Sequence, residues 1–102
     1  MEIIIQSLHF KVNDHLEKFV KDKVNKLSRL NNQALPVEVN LRLEKSKQSE
    51  NKVCEIKVPL PGKTLFAKRQ SESFEEAINS TIDALQQQIK KRKTQVNKNL
   101  TV

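Results

Sequence analysis

The sequence predicts an α+β domain, a two-layer β-α-β-β-β-α sandwich in which two helices cover one face of a four-stranded mixed sheet. Three observations carry this. Residues 14–30 and 73–93 set apolar side chains three and four apart, the spacing of a single helical face. Four shorter stretches are β-branched or alternate apolar with polar residues, the period of a half-buried strand. Helices with one apolar stripe and strands with one apolar face bury both by packing on each other as two layers.

The elements follow in order. Residues 2–6, short and rich in Ile, are expected as the first strand. Asn13 then offers an N-cap, with Asp14 and Glu17 in the first turn, where carboxylates suit the helix dipole. Leu16, Phe19, Val20, Val24, Leu27 and Leu30 trace the buried face of the first helix. Lys23 falls inside that face and Lys26 on its flank. Either a lysine stem lies across the core with its head in water, or a cation is held at the helix edge for a ligand. Asn31, Asn32 and Pro36 mark a connection. Val37, Val39, Leu41 and Leu43 next alternate with Glu38, Asn40, Arg42 and Glu44, the clearest strand of the chain. A polar hairpin loop over 46–51 leads to a third strand, with Cys54, Ile56 and Val58 facing in and Val53, Glu55 and Lys57 facing out. Pro59, Pro61 and Gly62 signal a turn. Residues 63–70 form the last strand, with Leu65 and Phe66 on opposite faces.

The last helix opens on Ser73 and Glu76, a capping box in which the hydroxyl and the carboxylate each satisfy a backbone N–H. Phe74, Ala77, Ile78, Ile82, Leu85 and Ile89 are its buried stripe, and it should end near Lys93. The first two strands should pair in parallel through a right-handed helical crossover, and the others as antiparallel hairpins.

At 102 residues the chain suits one domain with one modest core. Residues 1–95 are expected to form it, and 96–102 to be a frayed tail. A single Gly excludes Gly-rich phosphate loops. The net charge of +7 points to a polyanion partner, nucleic acid ahead of an anionic membrane. That charge is unevenly spread: residues 84–102 hold five cations and no side-chain carboxylate.

Cys54 is alone, so no internal disulfide forms, and no Cys/His cluster suggests zinc; it reads as a small core residue. His9 and His15 belong to no catalytic constellation, and HExxH, P-loop and GxGxxG motifs are absent. No enzyme activity, cofactor, metal or small-molecule substrate is expected. The amino terminus lacks the pattern of a signal peptide and no apolar run is long enough to span a bilayer, so a cytoplasmic protein without membrane contact is expected. An RNA-recognition sheet would stack bases on aromatic residues, whereas the solvent face read here offers Glu38, Asn40, Arg42, Glu44, Glu55 and Lys57. That leaves cations contacting phosphates, with little base reading.

The chain resembles the short ribosome hibernation promoting factors, among them the ribosome-associated inhibitor called protein Y. The resemblance is carried by Phe19-Val20-x-x-Lys23-x-x-Lys26-Leu27, Val37-x-Val39-x-Leu41-x-Leu43-Glu44-Lys45, Ala67, Ala77-Ile78, and Ile82-Asp83-x-Leu85-x-x-Gln88-Ile89-Lys90-Lys91-x-Lys93. It implies the same sandwich, similar to double-stranded RNA-binding domains. It also implies binding of the small ribosomal subunit, through rRNA, at the decoding region. Messenger RNA and A- and P-site transfer RNA would be occluded there without chemistry, by a protein that is a monomer off the ribosome. Lys23 and Lys26 match lysines of the family's first helix, and Lys90, Lys91 and Lys93 match its basic final turns. Arg92 stands where the family often has an aromatic residue and is carried as charge alone. Lys68 and Arg69 lie on the last strand, where the family also has basic residues pointing to rRNA. The family's Asp-hydrophobic-Tyr start to the last helix is replaced here by Ser73-Phe74-Glu75, and the extra C-terminal domain of long relatives is not expected. Two other functions fit the residues, a general structured-RNA-binding module and a regulatory protein-interaction domain acting on transcription.

Overall fold

Both helices begin at a side chain that caps them. Asn13 Oδ1 accepts the Leu16 N–H at 2.8 Å at the start of α1 (Asp14–Ser28). Ser73 Oγ accepts the Glu76 N–H at 3.2 Å at the start of α2 (Phe74–Leu100). The second half of the expected capping box is not formed. The Glu76 carboxylate accepts instead from the Ser71 hydroxyl at 2.7 Å, because that donor at the strand end lies within its reach. The computed structural model describes residues 2–28, 36–44, 51–60 and 62–100, with backbone only at 28 and 91–100. Leu30, the 31–35 connection, the 45–50 part of the hairpin loop, Pro61 and residues 101–102 therefore lie outside the described residues.

The strands are β1 (Ile3–Leu8), β2 (Val37–Leu43), β3 (Lys52–Leu60) and β4 (Lys63–Ser71), in the sheet order β1-β2-β3-β4. β1 pairs β2 in parallel, and β2–β3 and β3–β4 are antiparallel, as expected. Two strands outrun their sequence signals. β1 continues to Leu8 because Ser7 and Leu8 still find partners in Leu41 and Arg42. β3 carries Pro59 inside the strand, opposite Thr64, rather than in the turn. Pairing with β2 has already ended at Lys57, which leaves room for a residue without an N–H. The reversal falls at Gly62, whose φ of 76° is open to glycine at no steric cost.

Side chains from both helices meet one face of the sheet. Leu16, Val20, Val24 and Leu27 of α1 and Ala77, Ile78, Ile82, Leu85 and Ile89 of α2 close over Val37, Val39, Leu41, Cys54, Ile56, Val58, Leu65 and Ala67. Thr81 is the buried polar residue within this layer, its hydroxyl donating to the Ala77 carbonyl at 2.7 Å. Cross-strand partners share a face, so the register also orders the opposite, open face into rows. Ile4, Glu38, Lys57 and Phe66 form one; Gln6, Asn40, Glu55 and Lys68 the next; Leu8, Arg42, Val53 and Gln70 the third. Val53 points outward as expected but is fully buried, outside the main core. It sits between Arg42 and Gln70, long side chains on the flanking strands.

α2 runs to Leu100, past the end expected near Lys93 and through most of the tail expected to fray. No Gly or Pro follows Gly62, and Lys, Gln and Arg are good helix formers. Propagation from a packed helix needs no more than that.

Candidate nucleic-acid interface

The placement of the cations follows from topology. β1 and β4 run the same way, since two antiparallel steps separate β2 from β4 and β1 is parallel to β2. Each is followed by a helix that returns across the sheet, so α1 and α2 are parallel. Their N-terminal ends are fastened together by Phe10 and Phe74, stacked with ring centroids 4.4 Å apart and 19° between planes. Lys23 and Lys26 are in the C-terminal half of α1, and Lys90 is in the C-terminal half of α2.

Lys23 has its stem in the packing and its head at the surface, the first of the two readings its position allowed. Its side chain is half-buried on the helix flank, and its Nζ stands 5.4 Å from the centroid of the Phe19 ring. A cation over an aromatic face is attracted by the ring quadrupole. The stem thus belongs to the packing, while the head is held at a defined point on the surface. Lys26 is exposed in the last turn of α1, where the helix dipole favours a cation. Lys21, one turn before Asn25, is different: its ammonium is paired with Glu17 at 2.9 Å.

Lys90 is exposed immediately after Ile89, the last core residue of α2 among the described side chains. The backbone of Lys91, Arg92 and Lys93 continues the helix, and their side chains lie outside the described residues. Lys68 and Arg69 are neighbours in sequence but not in space. Lys68 is on the open face, 3.7 Å from Glu55, whose carboxylate also holds Arg42 at 2.9 Å. Arg69 is opposite Cys54, on the helix side at the sheet edge, and its Nη1 donates to the Lys68 carbonyl at 2.7 Å. Lys23, Lys26 and Lys90 thus belong to the C-terminal halves of the two parallel helices, whereas Lys68 is on the other face of the sheet.

The described residues offer little for covalent chemistry. Burial pushes the Cys54 thiol up from 9.0 to about 12, against a lowering hydrogen bond with Thr81 and with a small further push from Glu55. A thiol that stays protonated at neutral pH is a core residue and a poor nucleophile. Among the described residues no group of three or more His, Cys, Asp and Glu side chains could hold a metal ion. A groove of about 250 Å³ beside Leu8, Asn40 and Arg42 also takes in Ser7 and Glu55, and the Glu55 carboxylate is engaged by Arg42 and Lys68. No helix among the described residues is long and apolar enough to cross a membrane.

Two residues escaped the reading of the sequence. Phe66, 45% exposed, puts a ring on the open face that was expected to have none. Gln88 donates its side-chain amide to the Phe66 carbonyl at 3.2 Å and so ties α2 to the sheet edge. The period-two alternation around Leu65 was the available signal for Phe66; nothing local signals Gln88, since its partner is a backbone group.

Known proteins are similar to this chain in sequence and fold. The family profile described as Sigma 54 modulation protein / S30EA ribosomal protein matches residues 3–97. The chain is 30% identical over 98 residues to the Ribosome hibernation promotion factor of Bacillus subtilis, covering 96% of this chain and 51% of that protein. It thus spans about half the length of that relative. The Ribosome hibernation promoting factor of Acinetobacter guillouiae is also 30% identical, over 95% of this chain and 92% of its own. Among solved structures, a ribosomal subunit interface protein from Coxiella burnetii superposes with a TM-score of 0.80 at 19% identity, covering 92% of this chain and 99% of that one. The N-terminal domain of Thermus thermophilus Protein Y gives 0.77 at 26% identity, over 89% and 98%.

Proposed function

The chain belongs to the Sigma 54 modulation protein / S30EA ribosomal protein family, and from that membership we propose that it is a ribosome hibernation factor. In this reading it binds the small ribosomal subunit at the decoding region, in the cytoplasm, and excludes messenger RNA and A- and P-site transfer RNA by occupying their channel. It inhibits translation sterically and needs no catalysis or cofactor. The observation that carries the reading is the parallel course of the two helices, which sets Lys23, Lys26 and Lys90 toward their C-terminal ends. Lys91, Arg92 and Lys93 add their charge to the same helix. Such an end meets phosphates on a curved rRNA surface without reading bases, which suits a partner recognised by shape. Arg69, on the helix side of the sheet edge, extends the cationic surface. Lys68, balanced by Glu55, contributes less.

Co-sedimentation with purified small subunits, with and without excess transfer RNA and messenger RNA, tests this. Binding displaced by those ligands is expected. Binding indifferent to them would move the site away from the decoding channel. Retention of any structured RNA with equal affinity, without preference for the subunit, would replace the reading with a general RNA-binding module. The family description also names sigma 54 modulation; a protein partner whose binding survives nuclease would favour that activity.

A further inference from the structure

The helix layer accounts for the cations of α1 and α2 and leaves the β4 edge of the open face unexplained. Phe66 is 45% exposed there, the one aromatic ring on that face among the described residues. Its surroundings are basic. Lys57 stands directly opposite on β3, Lys68 follows on the same face, and β4 holds Lys63, Lys68 and Arg69 without a carboxylate. Two acids are near: Glu38, beyond Lys57 in the same row, and Glu55, diagonal to Phe66 on β3, whose carboxylate is already held by Arg42 and Lys68. The ring is also firmly mounted, because Gln88 holds the Phe66 carbonyl on the edge that has no neighbouring strand.

A flat apolar surface with cations beside it matches an unpaired nucleotide, the base stacking on the ring and the phosphates meeting ammonium groups. A docking protein segment would instead want apolar continuity. The neighbours of Phe66 on the open face are Thr64 and Lys68 on β4 and Pro59, Lys57 and Glu55 on β3; Pro59 is the one apolar member, and the exposed Ile4 of the same row lies on the far strand. We propose that Phe66, with Lys57 and Lys68, is a stacking site for an unpaired base of single-stranded RNA. This rests on the reading above in taking RNA as the partner, but it uses the opposite layer of the sandwich.

The chain contains no Trp or Tyr, so Phe66→Trp places a single indole fluorophore at the site. Single-stranded oligoadenylate should quench its emission, and a blunt RNA duplex should not. Phe66→Leu keeps an apolar side chain but removes the π-face. With an unchanged melting temperature it should bind oligoadenylate about 5- to 150-fold more weakly, the range covered by one base–aromatic stack. Emission unmoved by oligoadenylate, or a Leu variant with wild-type affinity, overturns the proposal. Emission moved by nuclease-treated ribosomal protein but not by RNA overturns it in favour of a protein contact. The two readings fail separately. Subunit binding lost with Lys23→Gln and Lys26→Gln, alongside an unquenched indole, removes only the stacking site. Quenching by oligoadenylate in a protein that ignores small subunits supports the stacking site and removes the ribosomal reading.

Discussion

Replacing Lys23 and Lys26 together by Gln removes two charges while keeping most of each stem. Both belong to one helix whose core residues are untouched, so the fold should survive. Its stability should fall by about 0.5–1 kcal/mol, the worth of the Lys23–Phe19 cation–π contact at a partly exposed site. The effect on binding is larger and has a distinct signature. Each phosphate contact contributes roughly 0.7–0.9 to the slope of log affinity against log salt. Two lost contacts flatten that slope by roughly 1.4–1.8. Between 50 and 200 mM salt, the usual span of such titrations, the wild type should therefore lose roughly 7- to 12-fold more affinity than the variant. Co-sedimentation with small subunits at four or five salt concentrations measures this directly. Lys21→Gln is the internal control, because its charge is already engaged by Glu17, and its slope should stay near the wild-type value. A double variant that binds more weakly with an unchanged slope would refute the phosphate contacts, since the loss would then not be electrostatic.

Three further outcomes are expected. Lys90→Glu with Lys91→Glu should leave the circular dichroism spectrum intact and weaken subunit binding beyond the effect of neutral substitution, because repulsion replaces attraction; wild-type binding would remove both residues from the interface. Leu85→Ala should cost roughly 2–5 kcal/mol in denaturant unfolding, since Leu85 is fully buried between α2 and the sheet. Cys54 should resist thiol reagents in the native protein at pH 8 and react once denaturant is added. Its folded value of about 12 lies above the ordinary 9.0, so the unfolded chain loses the proton first. The corresponding stability is complete below pH 9.0 and is lost as pH rises toward about 12, at up to roughly 1.4 kcal/mol per pH unit. Alkaline unfolding of a Cys54→Ala variant, compared with wild type, isolates that contribution.

The fold was legible because its signals are periodic and local. The alternation from Val37 to Leu43 named the faces of the sheet, and the stripes through Leu16–Leu27 and Ala77–Ile89 named the helix faces. Departures came where a long-range partner outweighs a local preference. Glu76 leaves its capping box for Ser71, Pro59 stays in a strand, and Val53 disappears between Arg42 and Gln70. None of these is visible until the strands are in register. The candidate site was legible as charge and illegible as geometry. Lys68 and Arg69 are adjacent in sequence, and alternation alone sends them to opposite faces, yet the Glu55 that neutralises Lys68 is set by pairing across β3. Phe19 beside Lys23 could be read from the helix wheel, but the ring beneath the ammonium required coordinates.

The length of α2 has a consequence for the range of action of the charge it carries. At ~1.5 Å of rise per residue, roughly 16 Å of helix lie beyond Ile89, the last buried residue of α2 among those whose side chains are described. The ionic screening length at physiological salt is ~8 Å, so that extension reaches about two screening lengths from where the core holds it. A polyanion can engage the extension before it senses the rest of the domain. Lys90 and Lys93, three apart on the helix, are like charges that repel, and a bound phosphate relieves the repulsion. By linkage, an anion bound to this segment stabilises its helix, and the helix in turn favours the anion.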